Sequence, residues 1–160
     1  MPINPATQDA GVYEALGLGF RVDKAEGATV ANAATTLFTI GTGRVLITQI
    51  VGEVTADIQA QTTAVKLVYD PTAAGNDVDL CATLDLTGDL TGELYSITGD
   101  LSDALISLRN VIEADAMMEK RGIILGPGSI IQNSGAGSSG GIKWALWYIP
   151  IEDGANVVAA

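Results

Sequence analysis

The sequence predicts an all-β fold, an antiparallel β-sandwich preceded by an extended amino-terminal arm, with a jelly roll as the expected arrangement. Three observations lead there. Runs of β-branched and aromatic residues recur, most clearly over 44–55 and 142–149, and such residues fit a pleated, half-buried surface. Turn residues punctuate them: Gly41-Thr42-Gly43, Asp70-Pro71, Gly126-Pro127-Gly128 and Asp153-Gly154 supply the special backbone angles of tight turns. Residues 78–86 alternate, with Val78, Leu80, Ala82, Leu84 and Leu86 on one face and Asp79, Cys81, Thr83 and Asp85 on the other. That is the period of two expected of a half-buried strand.

Residues 1–17 read as the arm, broken by Pro2, Pro5 and Gly11 and lacking a sustained period. Residues 18–160 read as one sandwich domain. Its first strand is expected at Leu18–Val22 and its second at Thr35–Ile40. Arg44–Thr55 is the strongest, with Gly52 marking a bulge or bend. Gln61–Tyr69 follows, with Val65, Leu67 and Tyr69 on one face, and then 78–86 and Glu93–Thr98. Thr87-Gly88-Asp89-Leu90, Thr91-Gly92-Glu93-Leu94 and Thr98-Gly99-Asp100-Leu101 form a local repeat too short for a solenoid and read as similar turns. In 101–121, Leu101, Leu105, Leu108 and Ile112 also fit a helical face; a strand to about Ile112 and then one or two helical turns are expected. Ile123–Leu125, Ser129–Asn133 and Ile142–Ile149 are strands, and Asn156–Ala159 is a final edge strand. About nine to eleven short strands in this order suit a sandwich or barrel. A jelly roll protects the edges at this length. An immunoglobulin-like sandwich is the alternative, although its paired cysteines are missing.

A chain of 160 residues fits a single domain. Hydrophobic residues make up 48%, which argues against wholesale disorder. The balance of 8 basic to 19 acidic residues, net charge -11, comes with scattered cations. No basic stripe exists to neutralise phosphates, so neither nucleic acid nor an anionic membrane is an expected partner. The lone Cys81 permits no internal disulfide. Met1–Ala10 shows no basic region followed by an apolar run, so no signal peptide is expected, and no apolar run is long enough to span a bilayer.

Histidine is absent, which removes Ser-His-Asp and Cys-His activation and imidazole metal sites. Gly135-Ala136-Gly137-Ser138-Ser139-Gly140 matches a dinucleotide-binding pattern, and Gly137–Gly141 matches a nucleophile-elbow pattern around Ser139. Both need a following helix, and an aromatic strand follows instead. The pairs Asp77/Asp79, Asp100/Asp103, Glu113/Asp115 and Glu152/Asp153 have the chemistry for acid–base work or for Ca²⁺. None has the spacing of a Ca²⁺ loop, and solvated turns account for them. No catalytic residue, cofactor or metal is expected. Trp144 and Tyr148 share one face of their strand and Trp147 takes the other. Together with Val12, Tyr13 and Leu16 of the arm they are the candidate interface residues, for subunit packing or for a carbohydrate.

The run Gly140-Gly141-Ile142-Lys143-Trp144-Ala145-Leu146-Trp147-Tyr148-Ile149-Pro150-Ile151-Glu152-Asp153-Gly154-Ala155, with Gly43-Arg44-Val45-Leu46-Ile47-Thr48-Gln49-Ile50-Val51-Gly52-Glu53-Val54, resembles small structural proteins of tailed bacteriophages. The resemblance covers most of the chain after the arm. It implies a non-enzymatic virion component, a capsid decoration or cement protein. Such a protein forms a homo-oligomer, by preference a trimer, on the major capsid protein at the capsid surface after assembly in the host cytoplasm. The alternative is a head-fibre, spike or tail module that recognises a host glycan.

Overall fold

Alternating burial along the strands builds two facing sheets. The computed structural model describes residues 18–28, 33–108, 122–136 and 139–160. The strands are β1 (Phe20–Ala28), β2 (Ala33–Ile40), β3 (Val45–Ala56), β4 (Ala64–Pro71), β5 (Val78–Asp79), β6 (Leu84–Asp85), β7 (Leu94–Ser96), β8 (Ile106–Leu108), β9 (Ile123–Leu125), β10 (Gly128–Ser134), β11 (Gly141–Pro150) and β12 (Val157–Ala159). One sheet runs β1-β11-β3-β7-β8, with β9 on the other half of the β3 edge; the second runs β12-β2-β10-β4-β5, with β6 also on β4. The strand pairs are antiparallel and the sheets stay open, so the chain is an all-β antiparallel sandwich rather than a barrel. Among the described residues no helix is long and apolar enough to cross a membrane.

The pairing is nested. β1 lies against β11, β2 against β10, β3 against β7 and β4 against β5. The chain thus folds back on itself as one long ribbon. The ribbon then curls so that β11 also pairs with β3 and β10 with β4. Most of these contacts are far apart in sequence, which raises the loop-closure cost before any core forms and predicts slow folding.

Between the sheets lie Phe38, Ile40, Val45, Ile50, Leu67, Ile130, Ile142, Trp144 and Leu146, all essentially buried. Each such side chain contributes about 1.5–3 kcal/mol by leaving water. The Trp144 indole crosses the sandwich, and its Nε1–H donates to Gln132 Oε1 of β10 at 2.9 Å. Gln132 Nε2 donates in turn to Ser134 Oγ at 3.3 Å. A β-carbon on Gly52, the residue paired with Trp144 in β3, would lie 2.8 Å from the indole ring. Gly52 therefore clears space for the ring. The expected bulge is not there; the β3–β11 register slips at Gly141/Ile142 and at Trp147/Tyr148 instead.

Other expectations meet the structure unevenly. The three Thr-Gly-acid-Leu repeats are indeed alike as turns, with Gly88, Gly92 and Gly99 at φ of 75°, 94° and 86°. Strands β3, β10, β11 and the edge strand β12 lie where the sequence puts them. The first strand extends to Ala28, and the described residues hold twelve strands against the expected nine to eleven. The run 78–86 is not one strand. It splits into β5 and β6, with Leu80 and Cys81 both buried between them. Cys81 Sγ accepts the Leu67 N–H at 3.3 Å and Asp85 Oδ1 accepts the Thr63 N–H at 3.0 Å. Side chains take over donors that a continuous ladder would have used. The arm and the helical turns expected after about Ile112 lie outside the described residues.

Candidate functional site

The outer face of β1, β11 and β3 brings charged and aromatic side chains together. Along β11, Trp144, Leu146 and Tyr148 point inward and Lys143, Ala145, Trp147 and Ile149 point outward, as alternation requires. Of the three candidate aromatics, then, Trp144 and Tyr148 pack inside the sandwich, at 2% and 8% exposure, and Trp147 lies on the outer face. Phe20 flanks Tyr148 at the sheet edge, with ring centres 5.8 Å apart. Val12, Tyr13 and Leu16 lie outside the described residues.

β1 pairs with β11 so that Arg21 stands opposite Trp147. Its guanidinium lies 5.1 Å from the centre of the indole, a cation–π contact. Arg21 also pairs with Asp23 at 2.6 Å. Across β11, Lys143 pairs with Glu53 of β3 at 2.8 Å. These groups, with Lys24 and Glu26, border a groove of about 620 Å³. Lys24 itself reaches over the sheet edge to the Ala160 carbonyl. The Trp147 Nε1–H is buried without a hydrogen-bond partner among the described residues. Exposed ion pairs of this kind contribute little stability, about 0–1 kcal/mol. Their effect here is to leave the face without net charge.

Four of the carboxylates named from the sequence are occupied elsewhere. Asp79 binds Lys66 Nζ at 2.7 Å. Asp100 accepts from the Ser102 N–H and hydroxyl, and Asp103 accepts from the Thr98 hydroxyl. Glu152 accepts from the Arg44 N–H at 2.9 Å and its Nε at 2.6 Å, which holds its carboxyl below the usual carboxylate range. Asp57 is lowered in the same way, chiefly by the Thr91 hydroxyl and then by the Thr91 N–H. Glu113 and Asp115 lie outside the described residues. Among the described residues no three Asp, Glu, Cys or His groups gather as a metal site would need. The loop that matched the dinucleotide pattern joins β10 to β11, so a strand and not a helix is the next element after it.

Cys81 is sealed in the core at 1% exposure, and burial pushes its thiol pKa up. Only the thiolate is a nucleophile, so the thiol is inert while the fold is closed. Native protein is expected to leave Cys81 unlabelled by a thiol reagent over hours and to react with one equivalent on unfolding. Rapid stoichiometric labelling of the native protein would contradict this burial.

What the sequence did not reveal is the partnership of β1 with β11 and β3. Arg21 with Trp147 and Lys143 with Glu53 come from distant parts of the chain, and no local spacing announces them. Searches against known protein families, characterised proteins and solved structures find no significant match to this chain.

Proposed function

We propose that this chain is a non-enzymatic structural subunit of a tailed-phage particle, a capsid decoration or cement protein. It assembles as an oligomer, by preference a trimer, on the major capsid protein and stabilises the shell. The observation that carries this reading is where the resemblance falls. The runs 43–54 and 140–155 that resemble phage structural proteins are largely β3 and β11, hydrogen-bonded neighbours at the heart of one sheet. The likeness thus lies in a scaffold and its outer face, not in a catalytic loop. The nested ribbon supports a jelly roll, an arrangement that recurs in viral capsid proteins. Binding strength on a particle then comes from modest contacts repeated by symmetry.

The test is light scattering of the purified protein, followed by co-sedimentation with undecorated capsids. An oligomer that sediments with capsids supports the proposal; a protein that stays in the supernatant at all concentrations overturns it. Deletion of residues 1–17 is expected to weaken capsid binding at least tenfold, about 1.4 kcal/mol. Undiminished binding removes the arm from the interface. The Trp147 groove favours a second reading, a fibre, spike or tail module for a host glycan. Glycan binding lost in Trp147→Ala, without capsid binding, would decide for that reading.

A further inference from the structure

We infer that the outer face of β1, β11, β3 and β9 is the surface on which a second copy of this chain docks. The inference rests on the reading of the chain as an assembling subunit and names the surface that does the assembling.

Shape and hydropathy come first. Ile149 of β11 pairs with Leu46 of β3, and Leu46 pairs with Ile124 of β9, so the three make one cross-strand row. Ile124 is 60% exposed, and Ile151, just past β11, is 48% exposed. Trp147, Ala145 and Val51 continue the apolar surface on the same face, all half-buried. Isolated exposed aliphatic residues are ordinary, but a contiguous row beside a tryptophan marks an interaction surface.

Charge then selects the occupant. On that face Arg21 is paired with Asp23 and Lys143 with Glu53; the same strands add Glu26 and Lys24, the latter opposite the inward Trp144. Everywhere else the described residues carry eleven carboxylates against two cations, Arg44 and Lys66. Two copies of a chain with net charge -11 repel through any of those other surfaces. They can approach through the one sheet whose charges cancel. A basic partner would be drawn to the acidic surfaces instead.

The area approaches what is needed. At about 3.3 Å per residue and about 4.8 Å between strands, β1, β11, β3 and the short β9 project roughly 540 Å² before side-chain relief is added. A standard interface needs about 800 Å² of accessible surface per partner.

The experiment is sedimentation velocity on the full chain and on the double variant Ile124→Asp/Ile149→Asp. Both positions are exposed, and protection of Cys81 from labelling confirms that the variant folds. Wild-type protein is expected to sediment as an oligomer at micromolar concentration. The double variant is expected to weaken self-association at least tenfold. Val158→Asp, on the edge strand of the other sheet and 52% exposed, is expected to leave it unchanged. An oligomer that survives the double variant, or that Val158→Asp dissolves, overturns the choice of face and leaves the assembling-subunit reading standing. A wild-type protein that is monomeric throughout overturns both. A monomer that associates only after deletion of residues 1–17 assigns the face to the chain's own arm and overturns docking by a second copy.

Discussion

Trp144→Ala is expected to destabilise the protein by about 5 kcal/mol or more, enough to leave much of it unfolded at room temperature. Truncating a buried tryptophan costs about 3–5 kcal/mol in lost burial and cavity. The indole also satisfies Gln132 on the opposite sheet, and a buried amide that loses its partner adds about 1–3 kcal/mol. A domain has only about 5–15 kcal/mol in total. Trp144→Phe separates the two contributions: the ring volume largely stays, the N–H goes, and the expected loss falls to about 1–3 kcal/mol. Gly52→Ala approaches the same contact from the other side. Its new methyl would sit 2.8–2.9 Å from three carbons of a ring 2% exposed and held by Gln132. Overpacking of this kind costs about 1–3 kcal/mol. In Gly52→Ala/Trp144→Phe the smaller ring vacates part of that space, so the double variant should lose less than the sum of the singles. Urea denaturation checks all four variants through the midpoint at unchanged slope. A Gly52→Ala protein within 0.5 kcal/mol of wild type would mean that the ring is free to move.

A lone glycine inside a strand such as Gly52 reads as a bulge or bend. Nothing near it in sequence says that a tryptophan almost a hundred positions later will lie across it, because register is a property of the paired strands. What depends on local sequence is legible in it. The aromatic run of β11 divides into Trp144 and Tyr148 inside and Trp147 outside because side chains alternate along any extended strand. The Thr-Gly-acid-Leu turns were legible because glycine alone accepts the left-handed angle cheaply. Residues 78–86 show the limit. Their hydropathy alternates as a strand's should, yet the backbone donors opposite them are taken by Cys81 Sγ and the Asp85 carboxyl, from partners 14 and 22 residues away. Hydropathy does not encode that competition. The neutral outer face was hidden for the same reason as the Gly52 contact. Counting charges along the chain yields an acidic protein, whereas pairing strands yields one sheet with no net charge on an otherwise acidic molecule.

Asp89 and Tyr95 provide the second large effect, and here the expected result is a coupling. Gly88, at φ of 75°, turns the chain so that Asp89 points into the protein, where it is 1% exposed. Its Oδ2 accepts from the Tyr95 hydroxyl at 2.7 Å, and Tyr95 on β7 is itself fully buried. The Asp89 carbonyl also accepts from the Ile58 N–H at 2.9 Å, so this turn ties the loop after β3 to the edge of β7. Asp89→Ala takes this acceptor from a buried hydroxyl, and Tyr95→Phe takes this donor from a buried carboxyl. Each is expected to cost about 1–3 kcal/mol, since a polar group kept from water without its partner bears its full desolvation penalty. Removing both takes away donor and acceptor together. Asp89→Ala/Tyr95→Phe should therefore fall short of the sum of the singles by about 1 kcal/mol or more, within the range seen for residues in direct contact. Four denaturation curves close the cycle. Strict additivity would mean that the hydroxyl and the carboxyl are satisfied independently, and that the turn is held by its backbone bonds alone.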